Sequence, residues 1–296
     1  MPTVRTPAVA GMFYPADPRE LAQEVRGFLD AAQARQLKPH EHARSPLLNP
    51  LPQAGEEAKE SLRESHVKAL IAPHAGYVYS GAIAASAYAA LKDIAPRIRR
   101  VILLGPTHRV AVHGLALPEA EAFDTPLGRV KLDAEAMRAI AHLPQVVVSD
   151  AVHALEHSLE VQLPFLQSVL SDFTLVPLAV GMATADEVAE VLETLWGGDE
   201  TLIVVSSDLS HYLPYADAQS IDGGTADDIV HLRQPVSHEQ ACGGTPINGL
   251  IVAARKHHLT PHLLDLRNSG DTAGARDRVV GYAAFAFTKE EDHVSH

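Results

Sequence analysis

The chain has one cysteine in 296 residues. A lone thiol cannot make an internal disulfide, which suits a reducing compartment and points to the cytoplasm. Apolar residues never run uninterrupted for the roughly eighteen positions that mark a membrane helix, so no span is expected. Positive charge is also scarce: 24 Lys and Arg face 37 Asp and Glu, a net charge of −13 with neutral histidines. A non-specific nucleic-acid binder needs cations to displace phosphate counterions, and an anionic bilayer repels an acidic surface, so neither partner is expected. The opening run, Met1-Pro-Thr-Val-Arg-Thr-Pro7, lacks the basic-then-apolar pattern of an export signal. Glycine (19) and proline (20) are present at ordinary levels, and 46% of residues are hydrophobic, which excludes collagen-like and wholly disordered chains. What the chain has in plenty is histidine, 17 residues in all. Imidazole is both a common metal ligand and a proton carrier near neutral pH, so the placement of these histidines is the informative feature.

Helix-type and strand-type segments alternate. Asp17-Pro18-Arg19-Glu20 has the form of an N-cap, a first-turn proline and a capping acid, followed by an apolar stripe of Leu21, Val25, Phe28 and Leu29. Strands are expected at Val67–Ala72, Val101–Leu104, Phe173–Val180, Thr201–Val205 and Val279–Phe287. Helices are expected over the small-residue run Gly81–Leu91, along the face Leu159, Leu163, Leu166 and Leu170, after Thr184-Ala-Asp-Glu187, and from Thr245-Pro246 to about His257. Gly114–Asp133 reads as an antiparallel hairpin. The alternation predicts one α/β domain over residues 1–296, with a mostly parallel central sheet and helices on both faces. A polar, aperiodic stretch at about 33–64 reads as a surface insertion.

In such sheets ligands bind beyond the carboxyl ends of the strands. Four shaped loops lie there or ahead of a helix, each with chemically capable residues. They are Pro73-His74-Ala-Gly-Tyr77, Gly105-Pro-Thr-His108-Arg109, Ser206-Ser-Asp208-Leu-Ser-His211 and Cys242-Gly-Gly-Thr-Pro246. A single strand-end histidine is most often structural; several converging loops favour a site. Tyr77 and Tyr79 admit either pocket lining or ordinary packing. Cys242, just ahead of a predicted helix, admits three readings: a metal ligand with its pKa lowered by the helix start, a nucleophile activated by His211, or a small buried hydrophobe. His153-Ala-Leu-Glu156-His157 fits the H-x-x-E-H pattern of inverted zinc peptidases. Alternatively, Glu156 and His157 approach the cleft to orient ligands or substrate, or merely favour a helix start.

These residues also carry a resemblance. Ala10-Gly-Met-Phe-Tyr-Pro15, Pro73-His74-Ala-Gly-Tyr77, Leu104-Gly-Pro-Thr-His108, Glu156-His157-Ser-Leu-Glu160, Ser206-Ser-Asp208 through His211, and Cys242-Gly with Pro246-Ile247 are similar to the Memo family, whose microbial members are called AmmeMemoRadiSam system protein B. The resemblance spans nearly the whole chain and implies the fold of the extradiol ring-cleavage dioxygenases, of the protocatechuate 4,5-dioxygenase β-subunit type. It implies one metal ion, Fe(II) or else Cu or Zn, held by His74, His108 and Cys242, with His211 as acid/base and Asp208 beside it. Cys242 stands where those dioxygenases have a glutamate, and thiolate is a softer, oxidisable ligand. The activity implied is a metal-dependent redox or dioxygenase step on a small, aromatic molecule. The alternative implied is a non-catalytic assembly component working with a radical-SAM protein and an AMMECR1-domain protein.

Overall fold

A computed structural model describes residues 3–37 and 66–289. The chain begins with β1 (Val4–Arg5) and α1 (Pro18–Leu37), followed by β2 (His66–Ala72), α2 (Tyr77–Ala89) and β3 (Arg100–Pro106). Next come β4 (Leu115–Leu117), β5 (Ala122–Thr125), β6 (Gly128–Lys131), α3 (Ala134–Ile140), β7 (Val146–Val148) and α4 (Asp150–Ala154). A short 3-10 turn leads into α5 (Leu163–Val169), β8 (Thr174–Val180), α6 (Ala185–Leu195), β9 (Thr201–Ser206) and β10 (His211–Leu213). The chain closes with α7 (Tyr215–Val230), α8 (Gly244–Lys256), β11 (Thr260–Asn268) and β12 (Val279–Lys289).

The expected starts and stops have identifiable causes. Asp17 Oδ1 accepts from the amides of Arg19 and Glu20 at 2.9 and 3.0 Å, capping α1. Thr184 and Glu187 form a reciprocal capping box at the start of α6. Pro164 sits in the first turn of α5, where its missing N–H costs nothing. The expected hairpin is β5–β6, which joins β1 in a small three-stranded sheet. The first residues of the expected insertion belong to α1; the remainder of it lies outside the described residues.

The large sheet runs β10-β12-β2-β9-β3-β8-β4-β7, with β11 also paired to β12. Its centre, β2-β9-β3-β8, is parallel as expected, while β12 against β2 and β4 against β8 are antiparallel. The period of two along each central strand divides the core into two layers. Leu70, Ala72, Val101, Leu103 and Val204 face one side with α1, α2 and α5. Ala69, Ile71, Ile102, Leu104 and Val205 face the other with α3, α6, α7 and α8. Both faces are therefore buried, which is why these strands read as continuous apolar runs rather than alternating ones.

Register sets up the site. Ala72 lies beside Ser206, and Leu104 beside Val205, so the loops after β2, β3 and β9 leave the same edge of the sheet side by side. No described helix is long and apolar enough to cross a membrane.

Candidate metal centre

His74 follows β2 by two residues and is buried. Asp208, two residues past β9, receives its backbone N–H at Oδ1 (2.7 Å) and that of Ala75 at 3.3 Å. The His74 ring is aimed by Ser206. That hydroxyl donates its one proton to the Ser158 carbonyl at 2.6 Å and already accepts from Gln162 Nε2 at 2.7 Å. It must therefore accept from His74 Nδ1–H at 3.0 Å, leaving the Nε2 lone pair of His74 free to ligate.

His108 is governed by Glu156. The carboxylate accepts the His108 backbone N–H at 2.5 Å and its Nδ1–H at 2.9 Å, together with the amides of His157 and Ser158, both at 2.9 Å. Burial alone would raise the Glu156 pKa, but the ring and backbone donors of His108 and the Ser158 amide hold it down at about 2. An ionised carboxylate only accepts, so Nδ1 of His108 carries the proton and Nε2 is again the free lone pair. Close approach of the 156–158 segment depends on Gly105. A Cβ there would lie 2.8 Å from Ser158 Oγ, which donates to the Pro106 carbonyl at 2.8 Å.

His157 completes the group. One nitrogen from each of His74, His108 and His157 lies within 4.8 Å of the others. Their ring centroids are 4.6 to 5.5 Å apart, with Phe13 packed 4.7 Å from the His157 ring. Burial, then the neighbouring His108, drives the His74 pKa to about 3; burial and His74 drive His157 to about 4. Neutral imidazole is the ligating form. Buried His157 Nδ1 has no hydrogen bond and lies 3.3 Å from Glu156 Oε1. An orphaned nitrogen, three converging imidazoles and an ionised carboxylate behind two of them suit a divalent cation, so the donor set fits one.

Cys242 reaches the group on one side. Its Sγ is 3.4 Å from His74 Nε2 and 3.6 Å from the Asp208 carbonyl. Gly243 lets its loop rest on Ser207, where a Cβ would come within 2.6 Å of the serine's Cβ. The three-residue cluster of ligand atoms contains His157 beside His74 and His108, two of the set that the resemblance implies, and the third member of that set, Cys242, adjoins the cluster at His74. The expectation of a lowered thiol pKa is corrected. Burial and the Asp208 carboxylate push it up to about 12, outweighing the start of α8.

The other candidates differ in place. Asp208 holds the His74 loop through Oδ1 while its Oδ2 lies 4.0 Å from His74 Nε2, and no hydrogen bond joins it to His211 among the described residues. Burial raises its pKa, opposed by the His74 amide. His211 opens β10 and is exposed. Tyr77 does not line the site: it is buried against Tyr14, Phe28 and Phe165, and its hydroxyl donates to the Val161 carbonyl at 2.7 Å. His153 is likewise core, its Nε2–H donating to the Ala116 carbonyl at 2.8 Å. Helix α4 ends at Ala154, so His153 and His157 share no helical face and the inverted peptidase motif is not formed. The fixing roles of Ser206 and Gln162 have no sequence signal, since both side chains act through partners more than forty residues away.

Comparison with known proteins covers most of this architecture. The family described as Memo-like protein matches residues 5–286. A MEMO1 family protein of Sulfolobus acidocaldarius is 33% identical over 96% of this chain and 99% of its own length. One from Aeropyrum pernix is 35% identical over 95% and 98%. The crystal structure of an uncharacterized Escherichia coli K12 protein, JW3007, overlaps 73% of this chain and 99% of that one at 14% identity and a TM-score of 0.46, a likeness that carries no argument about function. With all six motif segments falling inside the matched span and the relatives aligned nearly end to end, the chain belongs to the Memo family.

Proposed function

We propose that this protein holds one metal ion, ferrous iron, between His74, His108 and His157, with Cys242 on the fourth side, and uses it in an oxygen-dependent redox step on a small aromatic molecule. The observation that carries the reading is the set of three imidazole nitrogens within 4.8 Å of one another, two of them oriented by bonds to their far nitrogens. Imidazole suits Fe, Cu and Zn alike, so copper and zinc compete for the same donors; iron is chosen on the family's likeness to the extradiol dioxygenases. When bound, the ion supplies Lewis acidity and, if iron or copper, single-electron chemistry.

The chain's own residues do the rest. Glu156 keeps the His108 ring in one tautomer and places a negative charge behind two of the ligands. Asp208 holds the His74 loop by its backbone. His211 is exposed at the start of β10, three residues past Asp208, which suits it to accept or return a proton from a bound substrate. Anaerobically iron-loaded protein should take up oxygen with at least one member of a catechol panel. His211→Ala should lose that uptake while keeping its metal. An iron-loaded protein that consumes no oxygen with any catechol contradicts the catalytic part of the reading.

A further inference from the structure

The segment Ala10–Pro15 and the last residue of the Glu156–Glu160 motif have no part in ligation, yet Tyr14 and Glu160 meet beside the metal centre. Glu160 is fully buried and its carboxylate is saturated. Oε1 accepts from the Val9 amide at 3.0 Å and the Tyr14 hydroxyl at 2.6 Å; Oε2 accepts from the Ala8 amide at 2.8 Å and lies 2.8 Å from Arg5 Nη1. The remaining edges of the Arg5 guanidinium point at the chain that bears the third imidazole. Arg5 Nε donates to the His153 carbonyl and Nη2 to the Glu156 carbonyl, each at 2.6 Å.

We infer that Arg5 is a positioning residue for the metal centre: held by Glu160, it fixes the backbone at His153 and Glu156 and so sets where the Glu156 carboxylate and the His157 ring stand. The inference rests on the metal reading above. Its physical basis is the shape of the group. A planar guanidinium donates to two carbonyls while its third nitrogen, without a hydrogen bond of its own, lies against the Glu160 carboxylate as a close charge pair; an ammonium is a single point that cannot span all three. His157 has no such anchor on its own ring, since its Nδ1 lacks a hydrogen bond, so its place is set through its backbone. That backbone is held from within by Glu156 itself and from outside by Arg5.

The test uses Co²⁺ as the probe, titrated into full-length native protein, Arg5→Lys and His157→Ala, with affinity read from the visible ligand-field absorption and folding from thermal melts. Arg5→Lys keeps the charge beside Glu160 and should stay folded, yet its Co²⁺ affinity should fall tenfold or more, within the range of about 10–100-fold seen when groups behind a ligand are removed. Its absorption should also shift, because the third ring stands differently. A folded Arg5→Lys with native affinity and spectrum, alongside a weakened His157→Ala, overturns this inference alone. Native protein that binds no Co²⁺ overturns the metal reading and this inference with it. If Arg5→Lys does not fold, Tyr14→Phe removes one of the bonds that fix Glu160 while preserving its packing. It should weaken Co²⁺ binding by about threefold, and unchanged affinity there overturns the inference.

Discussion

Two carboxylates in this protein are equally buried, at 2% exposure each, and have opposite fates. Glu156, at the carboxyl edge of the sheet, is held ionised with a pKa near 2, because His108 and the following amides donate to it against the penalty of burial. Asp222, on α7, is pushed by burial up to about 6, with the Ser210 backbone N–H (3.0 Å) opposing. Depth is the same; the number of donors decides the charge. The lesson for the site is that its anion is a permanent part of the scaffold, built to stand behind imidazoles whether or not a cation is present.

The comparison can be broken most forcefully at Glu156. Glu156→Ala strands several buried donors and should lower stability by about 3 kcal/mol or more in urea unfolding at pH 7, with loss of metal binding. Stability within 1 kcal/mol of native, roughly the scale of a single hydrogen bond, would mean the donors find other partners. The two groups should also respond oppositely to pH. Glu156 has a folded pKa below its ordinary 4.5, so its contribution is present above pH 4.5 and is lost as pH falls toward 2. Asp222 has a folded pKa above its ordinary 3.8, so its contribution is present below that value and is lost as pH rises through about 6. Asp222→Asn should therefore gain about 2 kcal/mol at pH 8 relative to its effect at pH 3.5, measured by denaturant unfolding at both values. An equal effect at the two pH values would show that folding does not raise the Asp222 pKa. The smallest change should follow Cys242→Ser in the metal-free protein. Its sulfur makes only long contacts of 3.4 to 3.9 Å, so stability should move by under about 1 kcal/mol.

Much of the fold could be read from the chain because both faces of the central strands are covered, which writes them as apolar runs, and because helices such as α6 carry their own caps. Helix α7 could not: Gly223-Gly224 lie in its middle and weaken its propensity, and the continuous helix is sustained by packing on β11 and β12. Strand β11 opens with Thr260-Pro261 and is sustained by its pairing with β12. The site divides in the same way. The loops after β2, β3 and β9 were legible because strand ends are where sheets bind ligands. That Glu156 and His157 approach the cleft is one reading of the sequence; the position of the His157 ring among the ligand atoms is not legible there, because it depends on Glu156 turning back to His108, forty-eight residues earlier, and on Arg5 reaching across the chain. Cys242 has the right chemistry and its sulfur stands 3.4 Å from His74 Nε2, at one side of the three nitrogens.

The most direct test of this account is the iron content of native protein purified without oxygen, set beside folded His74→Ala and His157→Ala variants prepared in parallel. Three converging imidazoles predict about one ion per native chain and a clear loss in both variants. Native-level iron retained by His157→Ala would contradict the three-histidine centre.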